Sequence, residues 1–592
     1  SFRTLVCLPG SAAGRATDEC ACAVPAQTLA GSVCGAKRSS HNGAPYASFR
    51  GVHYARQPIG KLRFLVLAPQ PVEPWTGFFN ATTEGPVCPQ HDFLYGPMMH
   101  QHSMGEDCLR ANVHVPDAAL PEFGRECSGS KCLPVLVFVH GGGFDVGSGD
   151  SDINGPEYMI DQDIVVITIN YRLGPFGFLC LNSSSVPGNA GLRDMVAALQ
   201  WVQDNARAFG GDPGRVSLMG QSAGASAAHL LSLSEAAEGL FTKVIMMSGT
   251  AISSFFSTTP NYAQFLKSAF LSHLGINSTD TEEIYQILIE LPYYAILEAN
   301  SKVQKSLGLG GFSPVVESQF DGVTSILDTD PDVLVATGKG NSYPLLIGFT
   351  SVECASLRRS FEHINVLANI KNNATGILPI KLLFSLSEKQ RVAATNQMTK
   401  RYFNGTPTLD KYIVSCTEST YVYPAIKLAE TRADSGAPVF LYRFSYSSDF
   451  TPLKQAFGLK YAGAGHLEDL SYVLRVNSIH QNTKHIGKAK PRDHCRPLFI
   501  NTYVHKNRSK YRCKVNTENM HERNNTDIEL PKCNNYVQFK RSLEYSAIKI
   551  YNSLNKDIKE SDNFNAFTRK LKSYLLVRPY YSLNDFFDKL HE

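Results

Sequence analysis

The sequence predicts an α/β protein built on a large, twisted, mostly parallel or mixed central sheet flanked by helices. Three observations carry this. Apolar runs of strand length recur at Pro134–His140, Asp163–Tyr171 and Lys243–Met247, and runs without a polar alternation belong to strands covered on both faces. Between and after them lie stretches with apolar residues at helical spacing, from about Leu192 to Ala208 around Trp201 and from Thr281 to Glu298. Third, the run beginning at Val216 leads through Gly220-Gln-Ser-Ala-Gly224 into small residues compatible with a helix from Ala225 to Leu233, so a strand turns directly into a helix.

Taken in order, residues 1–22 hold Cys7, Cys20 and Cys22 among Gly, Ala and Ser, which predicts an extended N-terminal arm. Residues 23–592 are expected to form one domain with insertions. Ala47–Ala55, Lys61–Phe64 and Pro71–Trp75 read as short antiparallel strands and turns at its edge. Ala111–Val115 alternates as a strand, and Tyr343–Gly348 and Ala437–Phe444 are further strand-like runs.

Composition sets bounds. A hydrophobic fraction of 43% with 19% charged residues fits a large packed core and excludes global disorder. No stretch approaches the length of about 18 apolar residues needed to cross a bilayer, so no membrane span is expected. The fourteen cysteines, the chain start at Ser1 and seven Asn-x-Ser/Thr sequons, at Asn80, Asn182, Asn277, Asn373, Asn404, Asn507 and Asn524, together predict secretion. The net charge of +4 is concentrated between residues 483 and 535, where twelve Lys/Arg face five Asp/Glu. That basic segment also carries Cys495, Cys513, Cys533 and four histidines, at spacings that match no zinc finger. A disulfide-tied, glycosylated surface insertion is expected there. No metal, cofactor or nucleic-acid partner is expected, and a monomer is favoured.

The chemistry concentrates at Ser222. A serine on a tight strand-to-helix turn needs glycines two before and two after it, because side chains there would collide. Its hydroxyl is a poor nucleophile unless an imidazole takes its proton and a carboxylate orients that imidazole. Upstream, the strand ending at His140 runs into Gly141-Gly142-Gly143-Phe144, where bare backbone N–H groups can stabilise an oxyanion. Downstream, Glu353 follows a strand and His466 sits in the glycine-rich Gly463-Ala-Gly465 loop, ahead of a stretch read as an amphipathic helix. Alone, Glu353 reads more readily as a surface carboxylate, while a loop or helix-start histidine is the lesser reading of His466. The order serine, acid, histidine joins them.

Glu106-Asp-Cys-Leu, His140-Gly-Gly-Gly-Phe, Gly220-Gln-Ser-Ala-Gly, Gly348 with Glu353 five residues later, and Gly465-His466 resemble the type-B carboxylesterase/cholinesterase family of α/β-hydrolases over about residues 23–480. The resemblance implies Ser222 as nucleophile, His466 as general base and then acid, and Glu353 as orienting carboxylate. It also implies Gly142, Gly143 and Ala223 as oxyanion N–H donors and a Cys88 to Cys108 bridge. Gln221, Ala225, Gly191-Leu-Arg-Asp-Met195, Met247-Ser-Gly-Thr250, Phe255-Phe256 and Glu353-Cys354 resemble the insect branch that includes juvenile hormone esterases. Leu467 stands where the family often has Gly.

A secreted serine hydrolase of small hydrophobic esters, acting through an acyl-enzyme, is therefore expected. Odorant, pheromone or xenobiotic esters compete as substrates, and a non-catalytic adhesion or binding protein of the same fold is a more distant reading, since such relatives typically lose part of the triad and this chain keeps it. Choline esters are disfavoured: a quaternary ammonium prefers a Trp face, and Trp75 and Trp201, the two present, both lie outside the Cys88–Cys108 loop. No amphipathic lid of the kind an interfacial lipase uses is evident.

Overall fold

The computed structural model describes residues 22–65, 70–100, 103–307 and 310–480. The arm through residue 21, the basic segment 483–535 and the sequons at Asn507 and Asn524 lie outside the described residues. Contact density divides the chain into two units. The first comprises residues 1–440 and 447–489, and the second comprises 441–446 and 490–592. The first unit contains Ser222, Glu353 and His466.

Its frame is a mixed sheet. The strands are β1 (Val24–Gln27), β2 (Ser32–Ser39), β3 (Pro45–His53), β4 (Phe78–Asn80), β5 (Arg110–Pro116), β6 (Leu133–Val139), β7 (Val165–Ile169), β8 (Gly211–Gln221), β9 (Lys243–Met247) and β10 (Leu345–Thr350). They lie side by side in the order β1-β2-β3-β5-β7-β6-β8-β9-β10, with β4 against β2. The pairs from β1 to β7 are antiparallel. Those from β7 through β6, β8, β9 and β10 are parallel, so the sheet divides into an antiparallel half and a parallel half.

The parallel half is where the apolar runs fall. From Val135 to Val139 no side chain is more than 4% exposed, because helices cover both faces, and each such side chain contributes about 1.5–3 kcal/mol through burial. β5 differs from its alternating pattern in that Ala111 to Val115, including Asn112 and His114, are all buried. His114 is accommodated by a 3.0 Å contact with Ser48 Oγ, and burial pushes it well below the usual histidine range.

Two helical expectations are corrected. The tract from Thr281 to Glu298 is two helices, Thr281–Glu290 and Tyr293–Leu307. Pro292 separates them, and Leu291 before it is extended at φ −66°, ψ 141°, as the proline ring requires of its predecessor. After His466 there is only a 3₁₀ turn, Leu470–Tyr472, with the four-residue helix Asn477–His480 further on. The helix from Ala190 to Asn205 starts two residues earlier than its periodicity indicates. It is fastened to the residues after β7 by a bidentate pair, Arg172 Nε to Asp194 Oδ2 at 2.7 Å and Nη2 to Oδ1 at 2.6 Å. Both partners are buried, and removing either leaves an uncompensated charge at a cost of about 3–5 kcal/mol.

Register brings the carboxyl ends of the parallel strands to one level. Val139 lies opposite Gly220, Gln221 opposite Met247, and Met247 opposite Gly348. In open α/β sheets the crevice beyond these ends is where ligands bind.

Candidate active site

Ser222 follows β8 and starts the helix Ala223–Leu233 with φ 58° and ψ −123°. A non-glycine residue there costs about 1–3 kcal/mol and persists only where its surroundings hold it. They do so here: Ser222 N–H donates to Met247 O at 2.7 Å. A Cβ on Gly220 would stand 2.1 Å from Gly224 O, and one on Gly224 would stand 2.1 Å from Val139 O. Both flanking glycines are thus demanded by backbone, not by flexible side chains. At the first turn of the helix, Ala223 N–H has no intrahelical acceptor.

The turn after β6 stands beside it. His140 Nδ1 lies 2.8 Å from Gly141 O, Tyr171 Oη donates to His140 O at 2.9 Å, and the two rings stack 4.4 Å apart. Burial lowers His140 to about 4, so this ring is neutral at ordinary pH and braces the turn. Gly142 has φ 111°, and a Cβ on it would meet Val146 O at 1.9 Å. Gly143 has φ 66° with nothing within 4 Å of its Cβ position, so the space in front of it is open.

Glu353 opens the 3₁₀ turn Glu353–Ala355 just beyond β10. It is fully buried. Its Oε1 accepts from Thr350 N–H at 2.6 Å, and its Oε2 lies 2.6 Å from His466 Nδ1. The backbone repeats the link, with His466 N–H donating to Glu353 O at 2.9 Å. The Cys354–Cys416 disulfide ties this turn to the π-helical turn Thr417–Val422, whose Tyr421 places its ring 4.8 Å from that of His466. Such π turns recur at functional sites. His466 Nε2 points toward the end of β8 and meets Gln221 Nε2 at 3.3 Å.

Glu353, His466 and the Ser222 turn are therefore brought into one buried cluster across 244 residues of sequence, from 222 to 466. A cavity of about 480 Å³ opens onto it, with Gly142, Gln221 and His466 in its wall. A second, of about 350 Å³, shares Leu357 and Ile364 with the first and has Phe255, Tyr412 and Tyr421 among its lining. Elsewhere Cys88 is bonded to Cys108, and Cys22–Cys34 and Cys127–Cys132 are also joined. The sequons Asn80, Asn182, Asn277, Asn373 and Asn404 are all exposed. Sequence reasoning missed Tyr421 and the side chain of Gln221 as members of the cluster. No local signal marks Tyr421, since its proximity comes from a disulfide closed over 62 residues.

The profile of the carboxylesterase family matches residues 22–494. Juvenile hormone esterase of Heliothis virescens is 48% identical over 457 residues, covering 77% of this chain and 80% of that protein. The chain belongs to the carboxylesterase family. Esterase FE4 of Myzus persicae is 33% identical, with 76% of this chain and 79% of that protein covered. Among solved structures, juvenile hormone esterase from Manduca sexta, with OTFP covalently attached, superposes with a TM-score of 0.74 at 51% identity, covering 77% of this chain and 84% of that one. This carboxylesterase thus has the α/β-hydrolase fold of its solved relatives, and it is a serine carboxylesterase that hydrolyses esters. Among the described residues no helix is long and apolar enough to cross a membrane.

Proposed function

We propose that this carboxylesterase cleaves long, lipophilic esters of the juvenile-hormone type, with Ser222, His466 and Glu353 as its catalytic residues. The observation that carries the roles is the 2.6 Å contact between Glu353 Oε2 and His466 Nδ1, because it leaves Nε2 as the ring nitrogen on the side of the serine turn. Ser222 Oγ attacks the ester carbonyl while His466 Nε2 takes its proton. Gly142, Gly143 and Ala223 N–H groups hold the oxyanion, each such donor contributing about 2.7–4 kcal/mol. His466 then protonates the departing alcohol. Water, deprotonated by His466, attacks the acyl-enzyme and releases the acid, and Ser222 recovers its proton. Glu353 orients the ring throughout.

The substrate class rests on the two adjoining cavities, each more apolar than polar in its lining, and on relatives named juvenile hormone esterase at 48% and 51% identity. A methyl ester on a long apolar acid matches that space. Four disulfides within the described residues and five exposed sequons support an oxidising, extracellular setting. Steady-state kinetics on a juvenile hormone against a long-chain acetate tests the reading. The hormone is expected to have the higher kcat/KM, and a large preference for the acetate would transfer the assignment to odorant or xenobiotic esters.

A further inference from the structure

Gln221 ends β8 and is fully buried. Its Nε2 lies 3.3 Å from His466 Nε2, the nitrogen that has to receive the serine proton. Its Oε1 has no hydrogen-bond partner among the described residues, and a Cβ on Gly141 would stand 2.6 Å from it. The amide is therefore wedged between the imidazole and the oxyanion turn. Buried amide oxygens are normally paired, so one left open beside the reacting nitrogen points to a second hydrogen-bonded state of the same side chain.

We infer that Gln221 is a positioning residue for His466, acting at Nε2 as Glu353 acts at Nδ1. This rests on Ser222 and His466 being nucleophile and base. A side-chain amide carries both a donor and an acceptor. Donating to Nε2, it fixes the neutral tautomer whose Nδ1–H faces Glu353. Once the ring holds the serine proton, the amide turned by half a revolution offers Oε1 to Nε2–H. A carboxylate at this position has acceptors only, so it favours the charged ring and not the neutral base.

The other groups facing the imidazole are Glu353, from the turn after β10, and the Tyr421 ring at 4.8 Å, from the π-helical turn. The cavity in front adds Asp92, Lys305, Arg359 and His363. None of these groups is altered by a substitution at 221, so a difference in pH profile between the variants is assigned to that position.

The test uses the full chain with Gln221→Glu and Gln221→Leu, and p-nitrophenyl acetate as the probe ester. Rates are expressed per active serine, counted with an uncharged organophosphate, so that misfolded protein drops out. Gln221→Glu is expected to move the acid limb of kcat/KM to higher pH by about one unit or more, as an opposite charge beside a histidine does. Gln221→Leu is expected to lower kcat about tenfold with KM within about twofold, because the ring loses its alignment while the binding walls stay intact. A Gln221→Glu acid limb superimposed on that of the unaltered protein overturns the proposal, and so does a Gln221→Leu kcat equal to it. Hydrolysis surviving Ser222→Ala would instead refute the underlying roles of Ser222 and His466, independently of residue 221.

Discussion

At the scale of single residues, the proposed chemistry depends on atoms held where they are costly to hold. Ser222 has φ 58°, and Glu353 and His466 are buried at 0% and 5% exposure. A buried carboxylate persists because its two oxygens are occupied, by Thr350 N–H and by the imidazole. Replacing Ser222 by Ala should lower kcat by about four orders of magnitude or more, with the thermal midpoint little changed. Replacing Glu353 by Gln should lower it by about 10³–10⁴-fold, since an amide no longer selects the tautomer with the proton on Nδ1. Single-turnover assays on both variants, alongside circular dichroism, check the pair. An uncharged organophosphate should add one mass adduct to the unaltered protein and none to Ser222→Ala.

At the scale of elements, glycines of identical type differ sharply in what they do. A methyl at Gly224 would lie 2.1 Å from the backbone oxygen of Val139, whereas at Gly143 nothing stands within 4 Å. Gly224→Ala should therefore cost about 3 kcal/mol or more, or abolish folding. Gly143→Ala should cost only the strain of its left-handed backbone, about 1–2 kcal/mol. Urea titrations of the two variants separate these outcomes. Loop length ranks the disulfides in the same way. Cys354–Cys416 spans 62 residues and carries Glu353 on one side and Tyr421 near the other, whereas Cys127–Cys132 spans five. Chain entropy gives about 4 kcal/mol for the first and about 2 kcal/mol for the second. Removing the first pair by double Ala substitution should lower both stability and kcat, and removing the second should lower stability alone.

At the scale of the whole molecule, buried ionisable groups outside the cluster shape the pH dependence. Asp145, just beyond the glycine turn after β6, accepts from Asn300 Nδ2 at 3.2 Å, and burial raises its carboxyl to about 7 from an ordinary 3.8. Its folded value exceeds its unfolded one, so its contribution is fully present below pH about 4 and is lost as pH rises through about 7. Asp145→Asn should therefore gain stability relative to the unaltered protein as pH rises from about 4 to about 7, by a few kcal/mol at the upper end. Thermal midpoints of the two proteins across that range decide it, and a constant difference would contradict the assignment. His229 is opposite in sign: burial lowers it to about 3 and its Nδ1 accepts from Ala251 N–H, so it disfavours the fold as pH falls below about 6.5.

The strands of the parallel half are legible because burial on both faces writes a continuous apolar run, and β9 is legible to its end residues, Lys243–Met247. The Ser222 turn is legible because backbone contact at about 2 Å from any added methyl leaves glycine alone at 220 and 224. Pro292 is equally visible as a letter, yet the periodicity on either side of it masks the break in the Thr281–Glu298 tract. What the sequence by itself determined is local: which segments are strands, where a serine is forced out of a turn, and which glycines must lack a side chain. What only the tertiary structure decided is distance between remote parts. That Glu353 reaches His466 at 2.6 Å, that Tyr421 lies against its ring, and that Gln221 meets its far nitrogen follow from strand register and a disulfide. These bring together residues separated by dozens to hundreds of positions, and no spacing along the chain encodes them.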